Sequence, residues 1–106
     1  MKSKIVKSSE LEWYDIGEVH KGANYIDDES LPELSIVQIN RLQEKESGLA
    51  EKNMFYYVLE GTGEFELNGT KQILTVGDML VVARGDSYNT PANVKLLVAC
   101  TPRFGN

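Results

Sequence analysis

The sequence predicts an all-β domain closed into a barrel or folded as a two-sheet sandwich. Three observations predict it. Runs rich in aromatic and β-branched residues recur at 54–60, 79–83 and 93–100, which suits strands. Turn signals separate them at close spacing, the clearest being Asn68-Gly69 and Gly77-Asp78. No stretch longer than a turn or two carries helical periodicity. Many short strands joined by tight turns make a sandwich or barrel. At 106 residues the chain has room for one core, so 1–106 is a single domain. Its N-terminal strands fall within 1–33 and its barrel core within about 34–101.

The elements follow in order. Residues 4–7 and 11–16 are candidates for short strands, and 27–33 form an acidic loop containing Asp27-Asp28-Glu29. Residues 34–42 read as a strand of mixed alternation. In 54–60, Met54, Tyr56 and Val58 share one face and Phe55, Tyr57 and Leu59 the other. Both faces are apolar, so both are covered, one of them by a second sheet. Residues 62–67 alternate Phe65 and Leu67 against Glu64 and Glu66, the pattern of a half-exposed strand. Asn68-Gly69 is the strongest short hairpin signal, because a type I′ turn places both central residues at positive φ. The chain returns along 70–76, turns at Gly77-Asp78 and runs through 79–83, apolar on both faces. Arg84-Gly85-Asp86-Ser87 is a loop, 93–100 is the last core strand, and the tail leaves the sheet at Pro102.

Composition excludes several classes of partner. The formal charge is −5, which disfavours nucleic acid and anionic membrane surfaces, since both need clustered cations. Cys100 is the sole cysteine. It follows an apolar strand, so the expectation is a buried, inert thiol. The N-terminus has lysines without an apolar stretch behind them, and no segment is long and apolar enough to span a bilayer. The expected location is cytoplasmic.

The pattern at 54–91 resembles the cupin family. Gly61 fits the glycine that ends the first cupin motif, and Tyr57-Val58-Leu59-Glu60-Gly61 is a phrase many cupins share. Gly77 opens the second motif and Gly85 sits at its inner glycine. The resemblance implies a double-stranded β-helix, or jelly-roll, barrel and, in most members, a metal held by three histidines and a glutamate. Counting from these glycines, the glutamate position falls at Met54. The first two histidines fall at Gly48 and Ala50, or at Ser47 and Leu49, and the third at Tyr88. Transition metals want imidazole, thiolate or carboxylate donors converging on one point. Of these positions only Tyr88 offers an ionisable donor, so neither a metal nor another cofactor is expected. Glu44, Glu46 and Glu51 lie near the first motif and are the alternative source of oxygen ligands. They read more simply as a solvated loop.

By the same resemblance Met54, Tyr56 and Tyr88 point into the barrel, with Gln38 and Asn40 added if their face of the upstream strand is the inner one. These five are the candidate ligand-binding residues. The expected function is binding of a small organic molecule, sugar-like or a small acid, in a metal-free barrel. The alternative is an isomerase- or epimerase-like enzyme with a tyrosine acid and, as base, His20 or a carboxylate. A second alternative is a metal enzyme with atypical ligands such as Tyr88 with Glu44 or Glu51. The outward stripe Phe55, Tyr57, Leu59, together with the way cupins commonly pair, implies a homodimer.

Overall fold

The structure, a computed structural model, describes residues 2–16, 20–41 and 45–104, with the backbone alone at 45–47. Glu44 therefore lies outside the described residues, and so does the side chain of Glu46.

Among the described residues ten strands form two antiparallel sheets. They are β1 (Trp13–Ile16), β2 (His20–Ile26), β3 (Ser35–Arg41), β4 (Lys45–Leu49), β5 (Asn53–Glu60), β6 (Gly63–Leu67), β7 (Thr70–Leu74), β8 (Met79–Val82), β9 (Ser87–Thr90) and β10 (Val94–Thr101). The larger sheet has the order β1-β2-β3-β10-β5-β8 and the smaller β4-β9-β6-β7. Among the described residues the only helical element is a 3-10 turn at Ser8–Glu10, and no helix is long and apolar enough to cross a membrane.

The apolar alternation of the sequence becomes rows of side chains across the larger sheet. In register lie Val37, Val98, Tyr56 and Leu80, beside a row of Ile39, Leu96 and Val58 and a row of Ser35, Cys100, Met54 and Val82. Every one of these residues is buried. Partners directly opposite in an antiparallel ladder share a face, so the rows define the inner wall. Phe65 closes the core from the smaller sheet, with Leu67, Leu74 and Tyr88 packed against it. On the outer face of β5, Phe55, Tyr57 and Leu59 are half-buried.

The turns obey the expected chemistry. Asn68 and Gly69 have φ of 49° and 83°, as a type I′ turn requires. The Asn68 carboxamide then accepts from the Ser87 amide at 3.0 Å, tying this hairpin to the start of β9. Cys100 is fully buried beside the Ser35 hydroxyl at 3.3 Å. The tail beyond β10 folds back against the barrel. Arg103 pairs with Asp27 at 2.8 Å, and the Phe104 amide donates to the Ser35 hydroxyl at 3.1 Å.

Upstream the structure departs from expectation. Residues 4–7 form no strand, and 11–16 contribute only β1. Residues 20–26, 45–49 and 87–90, none of them expected as strands, are β2, β4 and β9. Each is polar or glycine-interrupted, so its strand character comes from its neighbours in the sheet and not from its own propensity.

Gly61 illustrates how tightly the strands are joined. Its φ is +88°, and a Cβ there would lie 2.5 Å from the Asn93 carbonyl oxygen. We expect Gly61→Ala to cost about 2–4 kcal/mol, combining left-handed backbone strain with the clash. Urea denaturation measures this directly. A midpoint unchanged from the parent protein would contradict the packing described.

Candidate functional site

The two sheets do not meet everywhere. Between them lies an open cavity of about 500 Å³. Its walls follow from strand parity. On β3 the odd-numbered residues Val37, Ile39 and Arg41 line it; on β5, Met54 and Tyr56 do so; Tyr88 on β9 faces them from the smaller sheet. Tyr14 and Ile16 reach in from β1 across Gly22 of β2. A Cβ on Gly22 would fall 2.6 Å from Ile16 Cδ1 and 3.0 Å from the Tyr14 ring, so the missing side chain is what lets them cross. Phe104, held by the folded-back tail, completes the wall.

Three of the five expected ligand-binding residues, Met54, Tyr56 and Tyr88, therefore meet in one space. Gln38 and Asn40 do not join them. They sit at even positions of β3, opposite Leu97 and Lys95 of β10, on the outer face of the sheet. Gln38 is buried there, accepting from the Tyr25 hydroxyl at 3.2 Å. Its role in the fold is to satisfy a neighbour.

Tyr56 and Tyr88 bridge the sheets. Their hydroxyls are 2.8 Å apart, with Tyr56 donating, and their rings are tilted by 37° at a centroid distance of 5.5 Å. Tyr56 is 2% exposed. Burial first, then the neighbouring Tyr88, pushes its phenol far above the ordinary tyrosine value, while Arg41 pulls weakly the other way. Burial removes the water that would solvate a phenolate.

Arg41, absent from the sequence-based candidates, is the third polar group. It is 3% exposed and lies beside Tyr56 and Tyr88 in the cavity wall. Its Nε and Nη1 have no hydrogen-bond partner among the described residues, and none of the ion pairs there includes it. Burial lowers its pKa from the usual guanidinium value. The signal for it was available in the parity of β3, since Val37 and Ile39 mark the inner face and Arg41 continues it.

Of the positions where the cupin resemblance implies metal ligands, four face this cavity. Leu49, Ala50, Met54 and Tyr88 all line it, yet together they offer one thioether and one phenol. Among the described residues no three His, Cys, Asp or Glu side chains gather to hold an ion. This donor set does not fit a divalent transition metal. Glu51 is exposed at the cavity's edge. His20 is buried on β2, in register with Arg41, and is not part of the wall.

Tyr56 makes stability depend on alkaline pH. The unfolded phenol loses its proton near pH 10, whereas the folded one keeps it well beyond that. Its contribution is thus complete below about pH 10 and is lost as pH rises further, because the unfolded state then binds fewer protons. In urea titrations above pH 10, Tyr56→Phe should show a decline in stability shallower by up to about 1.4 kcal/mol per pH unit. Equal slopes would mean that Tyr56 ionises within the folded barrel.

No protein-family model matches the chain, and no curated protein does. Solved structures do. KdgF from Halomonas sp. superposes with a TM-score of 0.84 at 20% identity, over 98% of this chain and 97% of that one. An RmlC-like cupin from Shewanella frigidimarina NCIMB 400 gives 0.80 at 21% identity, over 98% and 95%. Streptomyces Pac13, a nucleoside dehydratase, gives 0.74 at 18% identity, over 98% and 86%. Variants of it with a tyrosine replaced by phenylalanine, or a histidine by glutamine, are similar at the same TM-score and were determined with uridine. The chain thus has the fold of the RmlC-like cupins, a barrel of two antiparallel sheets.

Proposed function

We propose that the chain binds a small organic molecule inside the barrel without a metal, as a sensor or accessory protein and not as a catalyst. The observation that carries this reading is the open cavity of about 500 Å³. That volume lies within the range of small-molecule sites, which are mostly apolar with a few convergent polar groups. Met54 supplies adaptable apolar surface, and Tyr56 and Tyr88 supply hydroxyls. Pac13, similar in fold, is known with uridine, which supports a barrel of this shape accepting a small molecule.

A second reading, an isomerase- or epimerase-like enzyme, has one observation in its favour. Tyr56 is held protonated within the cavity, as a general acid must be. The base is harder to supply. His20 stands outside the cavity wall, and Glu51, the carboxylate that lines it, is exposed.

A thermal-shift screen of small acids and sugars in the presence of EDTA tests the first reading. Compounds that bind should raise the melting temperature, and Met54→Trp, which places an indole in the cavity, should abolish the rise while leaving a folded protein. Stabilisation that survives this substitution would place the ligand elsewhere. Stabilisation that disappears with EDTA would make binding metal-dependent.

We further propose that the protein forms a homodimer through the outer face of β5. Phe55, Tyr57 and Leu59 lie beside Met79 and Val81 of β8, which are 48% and 52% exposed. An apolar sheet face of this kind is stabilised by a cover. Tyr57→Glu should therefore convert a dimer to a monomer in size-exclusion chromatography. An unchanged elution volume, with circular dichroism showing a folded protein, would remove this face as the interface.

A further inference from the structure

The cavity has a polar end and an apolar body. Arg41, Tyr56 and Tyr88 form the polar end, and Ile16, Val37, Ile39, Met54 and Phe104 line much of the rest. A guanidinium that is 3% exposed has given up most of its hydration. Such a cation is ordinarily paired with an anion and hydrogen-bonded throughout. Here phenols are the polar side chains beside it, and two of its nitrogens have no acceptor among the described residues. The Tyr56 phenol is also a poor source of compensating charge, because burial keeps it protonated.

We infer that the missing acceptor is supplied by the ligand: the cavity takes a small carboxylic acid whose carboxylate accepts hydrogen bonds from Arg41 and whose body packs on the apolar wall. This deepens the ligand-binding reading above and rests on it. The alternatives fit less well. A sugar carries hydroxyls on every side, and most of them would be buried against aliphatic carbon without partners. A phosphate monoester brings nearly two negative charges to one guanidinium. Lys52 lines the cavity too, but its ammonium donates to the Arg103 carbonyl at 2.7 Å. A carboxylate matches one cation with one charge, and guanidinium–carboxylate hydrogen bonds are among the strong ones. Tyr88, accepting the hydrogen bond from Tyr56, has its own hydroxyl hydrogen to donate to the same carboxylate.

The test compares acids with their neutral isosteres. Benzoate, 3-phenylpropanoate and 2-naphthoate are titrated at neutral pH by calorimetry, alongside the corresponding carboxamides and phenyl phosphate. We expect the best acid to bind about tenfold or more tightly than its amide, the scale of a charge-assisted hydrogen bond. Phenyl phosphate should be weaker than the acids. In Arg41→Met the preference for acid over amide should vanish while amide binding persists. That variant replaces a buried cation by a side chain of similar length, a change that buried sites often tolerate. Should it fail to fold, the acid-to-amide ratio of the unaltered protein decides alone. Acids and amides of equal affinity would overturn the carboxylate assignment and leave the cavity reading intact, as would tightest binding of phenyl phosphate. Binding of none of the compounds would remove both.

Discussion

The register of β10 against its two neighbours is the constraint on which the rest of the structure depends. This strand pairs with β3 on one side and β5 on the other, so its phase sets which residues of both point inward. A slip of one residue would send Lys95, Leu97 and Ala99 into the barrel and turn Leu96 and Val98 to the outside. Val37, Ile39, Tyr56 and Val58 would then lose the row partners that β10 supplies. The rows of valine, leucine and tyrosine hold the register because each fully buried apolar side chain contributes about 1.5–3 kcal/mol only in the correct phase. The polar groups of the cavity are carried to their places by this apolar pattern.

Once in place, those polar groups depend on one another. Two phenols and a guanidinium meet at the wall of this cavity, and Tyr56 and Arg41 among them are almost wholly buried. In a buried environment electrostatic interactions are stronger than in water, and an unmatched group is correspondingly expensive. Tyr56 donates to Tyr88, with the Arg41 charge beside it. Arg41 has two nitrogens without an acceptor among the described residues and remains charged. The asymmetry gives the cavity a direction, with a buried positive pole at the end of β3 and a largely apolar wall beyond it, apart from Glu51 and Lys52, in a chain whose overall charge is −5. Net charge speaks to long-range steering. It does not fix the sign of the field inside a barrel of this size.

Much of this was legible in the sequence, and what was not has identifiable causes. From Asn53 onward, strong β-formers alternate cleanly and glycines mark the turns, so β5 to β8, β10 and the type I′ hairpin are read directly. Met54, Tyr56 and Tyr88 were placed inside by the glycine frame, and the cavity wall includes all three. The failures are upstream and at β9. His20–Ile26 has a glycine and mixed polarity, because Gly22 is needed for Tyr14 and Ile16 to pass over it. That need is tertiary and leaves no local periodic signal. Ser87–Thr90 has no aliphatic residue and is a strand because β4 and β6 flank it. Arg41 was missed for another reason. A charged residue at the end of an apolar strand normally marks its exit to solvent, and only the fold reveals that this strand ends inside.

Gln38 and Asn40 make the complementary point. Two amides on a barrel strand suggest binding groups if their face is the inner one. Parity decided otherwise. With Val37 and Ile39 in the core, the even positions must face outward, and Gln38 is then buried by its own neighbours and bonded to Tyr25. The same step weighs on the absent metal donors. Side chains such as Ala50 and Met54 at the metal-ligand positions remove one way for a barrel of this fold to hold an acid, through coordination of its oxygens. They leave a second way, which needs only a cation reaching the cavity from a strand of the correct phase. Arg41 stands at an odd position of β3 and meets that requirement, so the chemistry of this interior is set as much by strand phase as by the motif residues.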